Sequence, residues 1–296
     1  MAMPTVVTGI SFVSVKTLPQ VADIVECSRR LLVDRGAVIT PQASRRYGFF
    51  LGTTFSNFAI RKANTEKYFS RGVRPINPAD FPKGLISYLG GESCTALGIK
   101  GFNITFSSGV SSGVDALMQG VYFAARHKGN RALVLTLHEA LKSNARIGFS
   151  GISGIMVEAA PLCERSYAEI MGFKSVFEKA GDCEGLQKLI TAAVTQYRLH
   201  EASLMVACSG RSRGSIGSRL FERIRASYPM VETIKSPVRG GISELLRIVK
   251  KKIWLKEKYI LFSQLGENSN SGCVVLRVSK RGGYPDEKKF YQKKCA

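Results

Sequence analysis

The side chains able to do chemistry are concentrated in a few places. A serine-rich stretch, Ser107-Ser108-Gly109-Val110-Ser111-Ser112-Gly113, runs directly into a segment of helical periodicity. A hydroxyl at such a point can accept an acyl group if a neighbouring base takes its proton. The same residues also serve as a helix cap and as small side chains for close packing. The three histidines, His127, His138 and His200, share no metal-like spacing. They read as a cap at a helix end, a residue following a buried strand and a loop residue. The cysteines are Cys27, Cys94, Cys163, Cys183, Cys208, Cys273 and Cys295, an odd number with no C-x-x-C pair. Several lie in apolar, strand-like runs. That pattern reads as free thiols in a reducing cytoplasm, not as a disulfide framework or a zinc site, so no metal or cofactor is expected.

Charge is the other feature with functional content. Lysine and arginine outnumber aspartate and glutamate by 43 to 22, a net of +21, which favours an acidic partner. Basic residues cluster at Lys250-Lys251-Lys252, Lys256 and Lys258, at Lys288-Lys289 and Lys293-Lys294, and among Arg211, Arg213, Arg219, Arg223 and Arg225. Trp254, Tyr259, Phe290 and Tyr291 lie near some of them, as stacking on nucleic acid would require, but no RNA- or DNA-binding motif accompanies them. A solvated basic surface is the plain alternative. No apolar run approaches the roughly 20 residues that span a bilayer, so a membrane span is not expected.

The elements that must position these groups follow from the apolar pattern. With 296 residues, 45% of them hydrophobic, the chain can bury a substantial core. Apolar runs at Thr5–Val15, Arg46–Thr54, Ile104–Phe106, Ala132–Leu137, Gly154–Ala159, Leu204–Cys208, Tyr259–Phe262 and Cys273–Val278 read as strands. Helical spacing appears at Leu18–Leu32, Val114–His127, Leu186–Gln196, Ile216–Ala226 and Leu245–Lys256, and at Leu85–Leu97 with a break expected at Gly90-Gly91. Pro75–Pro82 reads as a loop. The alternation predicts an α/β fold, with matching rhythms in the two halves and no short repeat.

Four segments occur in a telling order. Phe81-Pro82-Lys83-Gly84-Leu85-Ile86 leads to Gly98-Ile99-Lys100-Gly101-Phe102-Asn103. Thr105–Leu117 precedes the long helix. Lys235-Ser236-Pro237 follows, and then Ser263-Gln264-Leu265-Gly266-Glu267-Asn268-Ser269-Asn270-Ser271-Gly272-Cys273. Gly151-Ile152-Ser153-Gly154-Ile155-Met156-Val157-Glu158 lies between the second and the third. In this order, from Thr5 to Val278, the chain resembles the β-ketoacyl synthases of fatty acid and polyketide synthesis. The serine-rich stretch is similar to their nucleophile elbow, and Gly151–Glu158 to their G-x-G-A-G-M-x-V-L-E strand. The resemblance implies a thiolase-like fold, layered αβαβα and made of two similar halves. The expected halves are residues 1–153 and 154–280, entangled as one domain, with a basic tail at 281–296.

That family needs a cysteine thiolate at the elbow, where a helix N-terminus lowers its pKa, and two histidines for decarboxylation of a malonyl thioester. In register with Gly101-Phe102-Asn103 and Ser112-Gly113, the nucleophile position is Val110. Ser209-Gly210-Arg211 stands where the family has H-G-T, so Ser209 takes the first histidine's place. After Lys235-Ser236-Pro237-Val238 the chain runs to Arg239-Gly240-Gly241 without the histidine of K-S-x-x-G-H. Leu265–Ser271 stands in place of the G-F-G-G-x-N loop. The chain is also compressed between Ile10 and Arg46 and from Glu139 to Gly154.

The resemblance therefore implies a chain-length-factor type of subunit, without catalysis of its own. Its partner would be an active β-ketoacyl synthase in a type II polyketide, polyene or unusual fatty acid pathway. It would complete the partner's acyl tunnel and set product length. Phe55, Phe58 and Tyr88 are the candidate tunnel residues, and Ile104 and Phe106 the candidate interface residues. Lys250, Lys251 and Lys252 are candidates for docking an acidic acyl carrier protein. The alternatives are a divergent acyltransferase using Ser108, Ser111 or Ser112 of the elbow, and a basic nucleic-acid-binding protein.

Overall fold

The structure, a computed structural model, describes residues 4–14, 20–55, 57–74, 76–141, 147–160, 166–177, 184–199, 204–210, 222–224, 226–228, 232–236, 242, 245–246, 249, 258–265 and 270–278. The first half comprises β1 (Thr5–Val13), α1 (Val21–Arg35), β2 (Tyr47–Gly52), α2 (Phe58–Arg71), α3 (Tyr88–Leu97), β3 (Asn103–Phe106), α4 (Ser112–Arg126), β4 (Arg131–Leu141) and β5 (Ile147–Ala159). The second comprises β6 (Ala168–Phe177), α5 (Glu184–Gln196), β7 (Leu204–Gly210), β8 (Glu232–Ser236), β9 (Lys258–Leu265) and β10 (Asn270–Val278). Residues 245, 246 and 249, just before β9, are also helical.

Local chemistry explains the element ends. At the start of α1 the Gln20 N–H donates to Asp23 Oδ2 at 3.0 Å, satisfying a donor that the helix itself cannot. The helix stops at Gly36, whose left-handed φ of 70° returns its N–H to the carbonyls of Leu32 and Val33. Helix α3 is continuous, contrary to the break expected at Gly90-Gly91. A β-carbon on Gly90 would lie 2.8 Å from Thr105 Oγ1 and 2.9 Å from Asn103 Oδ1. Gly90 is thus a point of close helix–strand approach, not a break.

The ten strands run in the order β3-β2-β4-β5-β1-β6-β10-β9-β7-β8. Read inward from either end, the two halves have the same order. In the first, β2 pairs parallel with β3 and β4, while β4–β5 and β1–β5 are antiparallel. In the second, β7 pairs parallel with β8 and β9, while β9–β10 and β6–β10 are antiparallel. The halves join where β1 meets β6. Residues 153 and 154, where the boundary was expected, both lie within β5, and the expected basic tail at 281–296 lies outside the described residues.

Burial shows the layers. One cluster holds Val114, Leu117, Val121 and Ala124 of α4 and Ile242, Leu245, Leu246 and Val249. It also takes in strand residues of both halves, among them Phe50, Val134, Ile155, Phe262, Val274 and Leu276. The alternate residues of the same strands face outward. Phe49, Leu133, Leu135 and Met156 pack with Ile24, Cys27 and Leu31 of α1. Leu261, Cys273 and Val275 pack with Ile190 and Ala193 of α5. Strand period two thus serves two cores at once, giving the expected αβαβα layering with α4 at the centre.

Candidate functional site

From β3 the chain enters a single 3-10 turn, Gly109–Ser111, and passes directly into α4. Gly109 has a left-handed φ of 79°, a conformation that glycine takes without a side-chain clash. The turn sits on the end of β2. Ser112 Oγ donates to the Thr53 carbonyl at 2.8 Å and also to the Gly109 carbonyl. Thr54 Oγ1 donates to that same Gly109 oxygen at 3.3 Å. Beneath lies Gly52, where a β-carbon would stand 2.6 Å from the Ser112 carbonyl oxygen. The elbow therefore rests backbone on backbone against the strand.

The hydroxyls of the elbow converge on one carboxylate. Ser108 Oγ donates to Asp115 Oδ2, and Ser111 Oγ donates to the same oxygen at 3.4 Å and to the Ser108 carbonyl at 3.2 Å. Asp115 lies in the first turn of α4, where the helix dipole favours negative charge. Ser111 and Ser112 are buried. Val110, the position at which the resemblance expects a thiolate, is the central residue of this turn.

The second half supplies the opposite wall. Ser209, near the end of β7, pairs with Ser236 of β8 and with Gln264 of β9. The turn Gly109–Ser111 packs against β9 and β10. The elbow therefore meets β9 and β10, and Ser209 and Ser236 stand one and two strands beyond β9 in the same ladder. Setting the two ladders together at their first pairs, Tyr47 with Arg131 and Leu204 with Tyr259, makes Gly52 the counterpart of Ser209. Gly52 was legible in the sequence only as part of a turn signal.

Other candidates are dispersed. Phe58 N donates to the Phe55 carbonyl at 3.0 Å, so these two residues do form one turn. Phe58 is 45% exposed, and Tyr88 packs at the margin of the outer core beside α1. Ile104 and Phe106 lie on β3, which has a described neighbour on one side only, and are partly buried against the inner cluster. Lys250, Lys251 and Lys252 lie outside the described residues, as does His200. His127 caps α4 in an extended conformation. His138 is buried on β4, its Nε2 2.8 Å from Ser153 Oγ.

Among the described cysteines, Cys27, Cys94 and Cys273 are buried thiols outside any disulfide. Burial pushes the thiols of Cys27 and Cys94 up to about 12, so neither is a nucleophile near neutrality. Far from the elbow, the fully buried Glu158 lies 3.2 Å from Arg35 Nε and 3.3 Å from Arg131 Nε. Arg131 also donates to the Tyr47 hydroxyl at 2.7 Å. Sequence reasoning placed Glu158 at the end of a strand motif but gave no sign of its two arginines.

No family model matches the chain, and no curated protein matches its sequence. Solved structures do. One is the AntDE:AntF complex, a type II PKS acyl-carrier protein with its ketosynthase bound to the hexaketide. The match has a TM-score of 0.75 at 13% identity over 94% of this chain and all of that one. The chain has the ketosynthase fold. The ishigamide ketosynthase/chain length factor matches with a TM-score of 0.72 at 16% identity, covering 93% of this chain and 99% of that one. A β-ketoacyl synthase from Burkholderia phymatum STM815 matches with a TM-score of 0.73 at 12% identity, covering 94% and 100% of the two chains. These three likenesses, at 12–16% identity, are likenesses of fold.

Proposed function

We propose that this chain is a non-catalytic ketosynthase-fold subunit of the chain-length-factor type. It pairs with an active β-ketoacyl synthase, completes that partner's acyl tunnel and receives an acidic acyl carrier protein at the pair. One observation carries the reading. The turn that presents a nucleophile in a ketosynthase has Val110 at its centre, and the hydroxyls of Ser108, Ser111 and Ser112 around it are engaged in holding the turn. A valine cannot form a thioester. Ser209, at the first histidine position, cannot act as an imidazole acid or base. The solved ketosynthase/chain length factor pairs of the same fold support the reading, as does the excess of positive charge.

Acylation decides the matter. The purified chain, incubated with acyl- and malonyl-carrier protein, should show no covalent acyl adduct by intact mass and release no carbon dioxide. Co-expressed with its cognate synthase it should elute as a one-to-one pair. In that pair, Phe55→Ala, Phe58→Ala and Tyr88→Ala should lengthen the product. Exposure of Phe58 makes it the cleanest of the three, because its truncation leaves no core cavity.

One contact favours a second reading. Ser108 donates to Asp115, so a carboxylate stands ready to take the proton if Ser108 Oγ attacks a thioester carbonyl, with the thiol as leaving group. An acyl group mapped by fragmentation to Ser108, and lost in Asp115→Asn, would replace the non-catalytic reading with acyl transfer.

A further inference from the structure

At the end of the sheet away from the elbow, several basic segments come together. The ladders set Phe49 against Asn103 and Tyr47 against Arg131, so the segments leading into β3, β2 and β4 emerge side by side there. Lys100 N donates to the Ser44 carbonyl at 3.1 Å. A β-carbon on Gly129 would lie 2.8 Å from Arg46 Nη1, so that guanidinium rests on the turn between α4 and β4. The Phe102 ring stands 5.5 Å from Phe123 of α4. The Tyr47 hydroxyl donates to the Val38 carbonyl at 3.2 Å, which brings the loop after α1 to the same place.

Residues 33–47, 98–102 and 122–131 hold seven lysines and arginines and one carboxylate, Asp34. That carboxylate accepts from Ile10 N and from the Tyr167 hydroxyl. Arg35 and Arg131 are taken by the buried Glu158. The other five, Arg45, Arg46, Lys100, Arg126 and Lys128, are exposed, and none forms an ion pair among the described residues. The helix dipole accounts for Arg126 and Lys128 at the end of α4. It does not account for Arg45, Arg46 and Lys100, which reach this end from other segments. Exposed apolar side chains stand on the same segments, with Val38 73%, Phe102 57% and Tyr122 58% exposed. Tyr122 and Arg126, four residues apart on α4, share one side of it. Helix α2 is also basic but differs, because Glu66 and Asp80 interrupt its charge and pair with Lys62 and Lys83.

We infer that this end of the sheet is a docking face for an anionic lipid bilayer. Headgroup phosphates attract the five cations, while Val38, Phe102 and Tyr122 enter the boundary with the acyl chains. A bilayer presents one broad plane, and segments that emerge side by side meet a plane together. A nucleic acid strand would meet the charges but offers nothing apolar to Val38. The elbow lies at the far end of the fifteen-residue α4, roughly 20 Å away, so docking leaves it free. Docking of this kind is independent of pairing with a synthase and would hold such a pair at the membrane surface.

The full chain is sedimented with vesicles of phosphatidylcholine alone, or of phosphatidylcholine and phosphatidylglycerol in equal parts. It should pellet with the mixed vesicles at low salt, stay in solution with the neutral ones and be released by high salt. The variant R45Q/K100Q/R126Q/K128Q should lower the partition coefficient by at least about tenfold. The variant K62Q/K67Q/R71Q/R74Q changes the total charge equally and should stay within about twofold of wild type. All eight side chains are exposed, so both variants should keep the wild-type melting temperature. Val38→Trp should shift its emission to the blue on the mixed vesicles, read against Trp254 in wild type. Equal losses in the two quadruple variants overturn this face in favour of total charge. Pelleting without a shift from Val38→Trp overturns insertion at this end. A chain that ignores the mixed vesicles but binds a single-stranded oligonucleotide through the same four cations overturns the lipid and makes nucleic acid the partner. No binding to either overturns the proposal, while the co-expression experiment separately judges the synthase reading.

Discussion

The two halves of the molecule share one ladder and use it differently. At the penultimate position of β5 stands Glu158, and at the penultimate position of β10 stands Arg277. Glu158 faces Arg131, the first residue of β4, and Arg277 faces Tyr259, the second residue of β9. In the first half the carboxylate is fully buried between two arginines. In the second the arginine is part-exposed and paired with Glu169 on β6. The same register thus carries a buried ionic clamp in one half and a partly solvated ion pair in the other. Topology alone therefore does not set the energetics; desolvation does.

This contrast can be broken most strongly at Arg131. Arg131→Met removes one of the two arginines beside the fully buried Glu158 carboxylate and should cost about 3–5 kcal/mol, read by urea denaturation. A loss below ~1 kcal/mol would mean that Arg35 alone suffices. Next in size is the pair Gly52 and Ser209. Gly52→Ser forces a β-carbon onto the Ser112 carbonyl and should cost about 1–3 kcal/mol by overpacking. The counterpart Ser209→Gly should cost about 0.5–1 kcal/mol, the backbone-entropy effect of glycine in a strand. Equal costs would show that the second half also seats a turn on its strand. Arg277→Gln should cost at most ~1 kcal/mol, since this ion pair keeps contact with water.

The smallest effect near neutrality comes from Cys27. Its folded-state pKa is raised from the ordinary 9.0 to about 12, chiefly by burial. The neutral thiol is the form that folding favours. Its contribution is fully present below about pH 9, where the unfolded thiol begins to ionise, and is lost as pH climbs toward about 12. Denaturation midpoints should therefore fall across that alkaline window in wild type and less steeply in Cys27→Ala, compared at matched temperature.

Most of the frame was legible in the sequence. The runs around Phe49, Leu133 and Val206 are too apolar and too short for anything but buried strands, and α4 announced itself by its apolar face. What escaped has physical reasons. None of the α2 side chains whose burial is described is fully buried, so no apolar periodicity marks the helix. The Gly90-Gly91 pair was read as a break because sequence shows the missing side chains but not the Asn103 and Thr105 side chains that need the room. Strand β5 begins before the apolar run from Gly154, because its first residues are paired in the ladder without an apolar pattern to mark them. At the site, Val110 and Ser209 could be named from motif order. The role of Gly52 beneath the elbow depends on the return of the chain from β2 to α4, which spacing does not encode, whereas Ser108 and Ser111 stand seven and four residues before Asp115, a helix-face spacing that was there to be read.

The strand β1 has a consequence for synthesis of the chain. It leaves the ribosome well before its partner strands, because Thr5 pairs with Ala159 and Ile170. At about 5–20 residues per second, the growing chain must hold an apolar, unpaired strand for roughly 8–30 s before its neighbours exist. Over that interval β1 has helices for native cover but no strand on either side, and a chaperone that shields this nascent strand would raise the yield of folded protein without touching the finished fold.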